Sequence, residues 1–215
     1  MDAKYFLSEQ YSKLKEAIFE IILNNGMKKT TMDLVASTLS MSKRTLYEIF
    51  DNKEQMIKVV LDFNHKRHIA SIAKVFKESQ TVMEAFYIII KMHQDVMKRA
   101  SSHFFCDMDR KYSKMRPVYD GQNDVWLHNM LDAIKKGIEQ GVFRKDVNYP
   151  VSVRMFRIQM ESLKRMEEFL PSTVTIQEAY DAICVGFLRS IASPLGMGIL
   201  DDTIKKYASP AKEIN

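Results

Sequence analysis

The sequence predicts an all-α protein: a small N-terminal helix-turn-helix head on a larger helical body, with about nine helices in all. Three observations carry this. Apolar residues recur at spacings of 3, 4 and 7 along most of the chain, and no stretch alternates as a half-buried strand does. Neither Pro nor Gly occurs between Met27 and Met115, so a long segment lacks the residues that most often break helices. The run TTMDLVASTLSMSKRTLYEIFDNKE, residues 30–54, reads as two short helices crossing at a tight turn.

The first helix covers about residues 7–24, with Tyr11, Leu14, Ile18, Ile21 and Ile22 on one face. Gly26 suits the left-handed position that ends a helix. Lys13 and Lys15 are expected in solvent, with phosphates within their reach. Thr30 and Thr31 supply hydroxyl caps for the second helix, and Asp33 falls in its first turn, where a negative charge suits the helix dipole. Met32, Val35, Ala36 and Leu39 form its apolar face, and Ser40 and Met41 make the turn, with Met41 plugging the angle between helices. Ser42 caps the third helix. There Leu46, Ile49 and Phe50 point inward, while Lys43, Arg44, Thr45 and Tyr47 remain on the outer side and leading end. A support helix, a turn, and a helix led by basic and hydroxyl-bearing residues is the layout of a DNA reader.

Asp51 and Asn52 cap a long fourth helix over residues 53–77. Thr81 and Glu84 form a capping box that opens a fifth, ending at Arg99. Its Phe86, Tyr87, Ile88, Ile89, Ile90 and Met92 make it apolar almost all round, as in a helix covered on every side. Ser101 and Ser102 start a short sixth helix with Phe104, Phe105, Met108 and Tyr112. Between residues 115 and 123, Pro117, Gly121 and several polar residues mark a loop. Pro117 would alternatively be the first residue of a long seventh helix. Val125, Trp126, Met130, Leu131, Ile134 and Ile138 define that helix from residue 124, and Gly141 stops it. Asn148 caps an eighth helix with Pro150 in its first turn, running to about Phe169 before Leu170-Pro171. A second capping box, Thr175 and Glu178, opens a ninth that ends near Ser193-Pro194. The tail from Gly196 has one weakly helical patch, residues 201–207, and then frays.

Composition narrows the function. Of 215 residues, 46% are hydrophobic, enough for a core with apolar surface left for an interface or pocket. The net charge of +5 is a modest excess, so affinity for a polyanion depends on where Lys28, Lys29, Lys43, Arg44 and Lys53 sit. The two cysteines, Cys106 and Cys184, imply no disulfide framework and suit a reducing cytoplasm. The N-terminus lacks the pattern of a signal peptide, and no apolar run approaches the roughly 18 residues of a membrane span. A cytoplasmic protein is expected. His65 with His68, and His103 with Cys106, lie one helical turn apart, but no further ligand completes a tetrahedron, so no metal is expected. No Gly-rich phosphate loop, nucleophile elbow or zinc-protease pair occurs, so neither an enzyme nor a cofactor is expected. The 15 methionines, concentrated with aromatics in the body, serve mainly as core and would also suit a cavity for ligands of varied shape.

The run Gly26, Thr30-Thr31-Met32, Leu34-Val35-Ala36, Met41 through Tyr47 and Phe50-Asp51-Asn52-Lys53-Glu54 resembles the N-terminal signature of the tetracycline-repressor (TetR-like) family of bacterial regulators. Ser40 stands where the family has a turn glycine, and Arg44 where a small residue is usual. The resemblance implies that the third helix enters the major groove. Lys43, Arg44 and Thr45 would then face base edges, with Lys43 or Arg44 on guanine and the Thr45 methyl on thymine. Thr31, Ser42, Tyr47 and Lys53 would hold phosphates. It further implies a homodimer on a near-palindromic operator, with reading heads about 34 Å apart. The dimer would be a four-helix bundle using Met155, Ile158, Ser162 and Met166 on one helix and Tyr180, Ile183, Phe187 and Ile191 on the next. On this reading residues 1–52 form the DNA-binding domain, 53–195 the effector-binding and dimerisation domain, and 196–215 a tail.

The resemblance also implies an effector pocket in the body. To influence the head it should touch the fourth helix, whose Asn64, His68 and Ile72 share one face. His93, Phe105, Met108, Trp126 and Met130 are the neighbours best suited to line it, a mostly apolar and aromatic set fitted to a small amphipathic or aromatic molecule. The expected function is a DNA-binding transcriptional regulator, a repressor released from its operator by that effector. The rival is a helical small-molecule-binding or interaction protein that has lost DNA binding. The intact run from Ser42 to Tyr47 argues against it.

Overall fold

The structure is a computed structural model and describes residues 9–101, 103, 104, 107, 116–163, 171 and 173–207, residues 116–124 by their backbone. Phe105, Met108 and Met166 therefore lie outside the described residues, as do Cys106, Tyr112, the expected helix start at residue 7, the stretch 164–170 and everything after Tyr207. Nine helices are found among the described residues: α1 Glu9–Lys29, α2 Met32–Thr38, α3 Lys43–Ile49, α4 Lys53–Glu78, α5 Val82–Arg99, α6 Arg116–Glu139, α7 Tyr149–Ser162, α8 Ile176–Ile191 and α9 Pro194–Tyr207. None of them is long and apolar enough to cross a membrane. The chain divides into two compact units, Met1–Ala73 with Arg99–Lys114, and Lys74–Lys98 with Met115–Asn215.

The first unit has its own core, built from Ile18 and Ile22 of α1, Val35 of α2, Leu46 of α3, Phe50, and Met56, Ile57 and Val60 of α4. Phe50 is fully buried and lies 6.1 Å from the Tyr11 ring. Lys15, expected in solvent, is instead buried, its ammonium 3.8 Å from the Phe63 ring centre and 4.2 Å from that of Tyr11. Two aromatic faces here replace the lost water. Burial, and to a lesser extent the charge of Lys66, push its pKa down.

The backbone breaks from the α-helix at Gly26, as expected, but with φ 77° and ψ 163° rather than in the left-handed helical region. That conformation is essentially reserved for glycine. A Cβ there would also stand 2.8 Å from the Asp107 carboxylate and 2.9 Å from the His103 Cβ. Asp107 accepts the Lys28 N–H at 2.7 Å and Ser101 donates to the Leu23 carbonyl at 2.8 Å, so these distant residues close over the end of α1. Thr30, expected as a cap, turns inward and donates to the Gly26 carbonyl at 2.7 Å, leaving Thr31 as the sole cap of α2.

In the second unit, Met83, Phe86 and Ile90 of α5, Ile134 of α6, Phe143, Leu188 and Ile191 of α8 and Leu200 of α9 form the core. α5 is not covered on every side as its apolarity predicts: Phe86, Tyr87 and Ile90 are buried, Ile88, Ile89 and Met92 are half-buried, and the last turn is open to solvent. Asn148 caps α7, and the Thr175–Glu178 box caps α8 in both directions.

Of the two readings of residues 115–123, the long helix holds and the loop does not, and the tail is more helical than expected. Residues 116–123 belong to α6, with Pro117 in its first turn, where its missing N–H costs nothing. The tail forms a full helix, α9, with Leu200 and Thr203 buried against the body. Its Gly196 packs so close to the chain that a Cβ would fall 1.9 Å from the Val142 carbonyl oxygen. Beside it, Phe143 and Ala192 form an isolated antiparallel bridge, with Arg144 donating to the Ile191 carbonyl at 2.9 Å.

Candidate functional site

The reading head is assembled by local bonds. Thr31 Oγ1 accepts from the Leu34 N–H at 3.1 Å, and Ser42 Oγ from the Thr45 N–H at 3.0 Å, so both hydroxyls fix helix starts. Between the helices, Ser40 takes φ 52°, the left-handed residue that its position in place of glycine required. The Met41 N–H then reaches the Ala36 carbonyl at 2.9 Å and the Ser40 N–H the Ser37 carbonyl at 3.3 Å, the pairing of a Schellman end. Met41 packs against the head core. Leu46, Ile49 and Phe50 are buried, which fixes the roll of α3 and turns Lys43, Arg44, Thr45, Tyr47 and Glu48 out to solvent.

The cations of this face are already engaged. Lys43 Nζ meets Asp33 of α2 at 2.9 Å, and Arg44 Nε meets Glu48 at 3.0 Å. Tyr47 is 52% exposed on the same face. Lys53 donates from Nζ to the Lys28 carbonyl at 2.7 Å. The carboxylates of Asp33 and Glu48 are parts of this face that the outward positive charges alone do not reveal. The spacing of Arg44 and Glu48, one turn apart, is the sequence signal for the second.

The residues expected around an effector fall in both units. In the first, Asn64 donates to the Val60 carbonyl of its own helix at 2.9 Å, and His68 and Ile72 are half-buried. Burial, with the nearby His65 adding to it, holds the His68 imidazole below its ordinary pKa. In the second, His93 Nδ1 and Tyr180 Oη lie 2.9 Å apart, Met130 packs against the core, and Trp126 is 38% exposed. Gln94, next to His93, donates to Asp181 at 2.6 Å, a second polar tie between α5 and α8.

Three of the residues expected at the dimer face are buried within their own unit. Tyr180, Phe187 and Ile191 belong to its core, Tyr180 with its hydroxyl on His93 and Phe187 stacked on Phe156. Burial raises the Tyr180 phenol well above its ordinary pKa, so it stays neutral. Ser162, Met155 and Ile158 are exposed on α7, joined by Val151. Met155 and Val151, with Phe156, Ile183, Gly186 and Phe187, line an open groove of about 510 Å³ along α7 and α8.

Residues 15–60 match the sequence model of the bacterial regulatory proteins, tetR family. No curated protein matches the chain. Among solved structures, a transcriptional regulator from Cytophaga hutchinsonii is similar with a TM-score of 0.63 at 16% identity, over 86% of this chain and 100% of that one. The TetR family transcriptional regulator PfmR from Thermus thermophilus gives 0.54 at 23%, over 82% and 96%. The regulator FadR from Bacillus subtilis, in complex with stearoyl-CoA, gives 0.59 at 15%, over 84% and 99%. Fold and head together define a DNA-binding transcriptional regulator. The head, residues 15–60, is similar to that of the tetR family of bacterial regulatory proteins.

Proposed function

We propose that this regulator is a cytoplasmic homodimeric repressor that leaves a near-palindromic operator when a small amphipathic or aromatic effector binds its body. The observation that carries the DNA half is the α3 face. Lys43, Arg44, Thr45 and Tyr47 stand out in solvent while Leu46, Ile49 and Phe50 lock the opposite side into the core. Lys43, Arg44 and Thr45 read bases on this account, and Thr31, Ser42, Tyr47 and Lys53 hold phosphates. The dimer half is supported by exposed Val151, Met155 and Ile158 beside the α7–α8 groove, an apolar stripe that a second copy would cover.

For the effector half, similar regulators have been solved with stearoyl-CoA and, in a protein from Saccharomonospora viridis, with choline, which are chemically unlike. In this chain His93, Trp126 and Met130 are the residues of the body assigned to the ligand. The unbroken α4 contributes Met56, Ile57 and Val60 to the head core and Phe76 to the body core, which suits it to carry the response. A mobility-shift titration with the DNA upstream of the chain's own gene tests the proposal, followed by effector candidates read through Trp126 fluorescence. Expected are a shift at nanomolar protein, and loss of the shift with the ligand that changes the Trp126 emission. Equal affinity for that DNA and a scrambled duplex would overturn it.

A further inference from the structure

We infer that Glu48 determines specificity on the reading helix, by holding Arg44 in an attitude that favours a guanine over the phosphate backbone. The inference rests on the proposed role of Arg44 as a base-contacting residue. Glu48 follows Arg44 by one turn of α3, and its Oε1 accepts from Arg44 Nε at 3.0 Å. Both side chains stand in solvent on the face that would meet the duplex, 90% and 60% exposed.

A guanidinium carries its donors in one rigid plane. With Nε given to the carboxylate, the two terminal Nη groups remain, and their spacing matches the O6 and N7 acceptors of guanine. An unheld arginine on its flexible stem meets phosphate oxygens as readily, and those carry no sequence information. Glu48 opposes that alternative twice. It occupies the Nε edge, and it brings a negative charge to a polyanion, an unfavourable approach that is offset where Arg44 is fully engaged on its base. In free solution so exposed a pair has little strength. Its effect is expected in the complex, where the groove excludes water and both charges interact more strongly. Lys43 is held too, by Asp33 at 2.9 Å, but an ammonium has no plane to aim.

The test uses the full chain with Glu48→Gln, Arg44→Ala and the double variant, each binding a pool of randomised duplexes whose retained sequences are read. The native chain should select a guanine that Arg44→Ala no longer selects. Glu48→Gln should weaken that preference about tenfold while tightening binding to unselected duplex. In the Arg44→Ala background it should leave the base preferences unchanged. Three results would overturn the inference. The first is that Glu48→Gln tightens every duplex alike and keeps the guanine, which makes Glu48 a bulk charge. The second is loss of a base preference equally with and without Arg44, which makes Glu48 a base contact itself. The third is that Arg44→Ala leaves all preferences intact, which removes the underlying role of Arg44 and is recognised by that variant alone.

Discussion

Lys53 Nζ donates to the Lys28 carbonyl at 2.7 Å, tying the first turn of α4 to the short turn that follows Gly26. The same Lys28 gives its N–H to Asp107, so its peptide groups are held from two sides. An ammonium has three donors and can keep the carbonyl while meeting a phosphate. Lys53→Ala should therefore act twice. Stability should fall by about 0.5–1.5 kcal/mol for the lost hydrogen bond. The slope of log affinity against log salt should fall by about 0.9 for the lost phosphate, equally for all sequences. Weaker binding with an unchanged slope would confine Lys53 to its work on Lys28.

Ser40 sits at φ 52° in the turn between α2 and α3 and is exposed. A side chain in that region costs on the order of 1–2 kcal/mol, part of which glycine gives back as entropy of the unfolded chain. Ser40→Gly should raise stability by about 1 kcal/mol, seen as a higher urea midpoint with an unchanged slope. A lower midpoint would mean that the serine hydroxyl holds the turn in a way its backbone angle does not show.

Ile158 is 58% exposed on α7, between Met155 and Ser162 on the same stripe. Ile158→Glu places a charge where the proposed second copy packs, yet disturbs nothing inside its own chain. Light scattering at micromolar concentration should give a dimer for the native chain and a monomer for the variant, with helical content retained. Because two joined heads bind far more tightly than one, operator affinity should fall by at least 10²-fold. A native chain that is itself monomeric would remove the dimer and the palindromic operator with it.

What the sequence made legible was whatever depends on neighbours in the chain. The caps of α3, α7 and α8 rest on Ser42, Asn148 and Thr175, each bonded within three residues of itself. The outward direction of Lys43 and Arg44 likewise follows from the inward direction of Leu46 and Ile49. Tyr180 shows the limit, since periodicity cannot say which of two apolar surroundings a stripe faces. Its hydroxyl is claimed by His93, 87 residues away, which draws it off the expected interface. The last helix was hidden for a similar reason. Gly196 opens a tail that reads as only weakly helical, but it makes a close pass at the Val142 carbonyl, while a Cβ on Gly198 meets nothing within 4 Å. Gly196→Ala should thus cost about 3 kcal/mol or prevent folding, and Gly198→Ala should stabilise by about 0.5–1 kcal/mol. Thermal melts of the two variants, moving in opposite directions, would check this.

His68 makes the stability of the chain depend on pH in a definite direction. The side chain is half-buried on α4, and withdrawal from water disfavours its charged form, with the nearby His65 as a smaller cause. Its folded pKa therefore lies below the ordinary value of 6.5. Between the two values the unfolded chain binds the proton and the folded chain does not, so unfolding gains ground as acid is added. The contribution is full above pH 6.5 and is lost as pH falls through the lower, folded value. Urea midpoints at pH 7.5 and 5.5 measure it: the native chain should lose more stability over that interval than His68→Gln, which has no proton to take up. The comparison must be made on the difference between the two proteins, because other groups titrate in both. An equal loss in both would show that the imidazole titrates alike in the folded and unfolded chain, and that His68 sits in water.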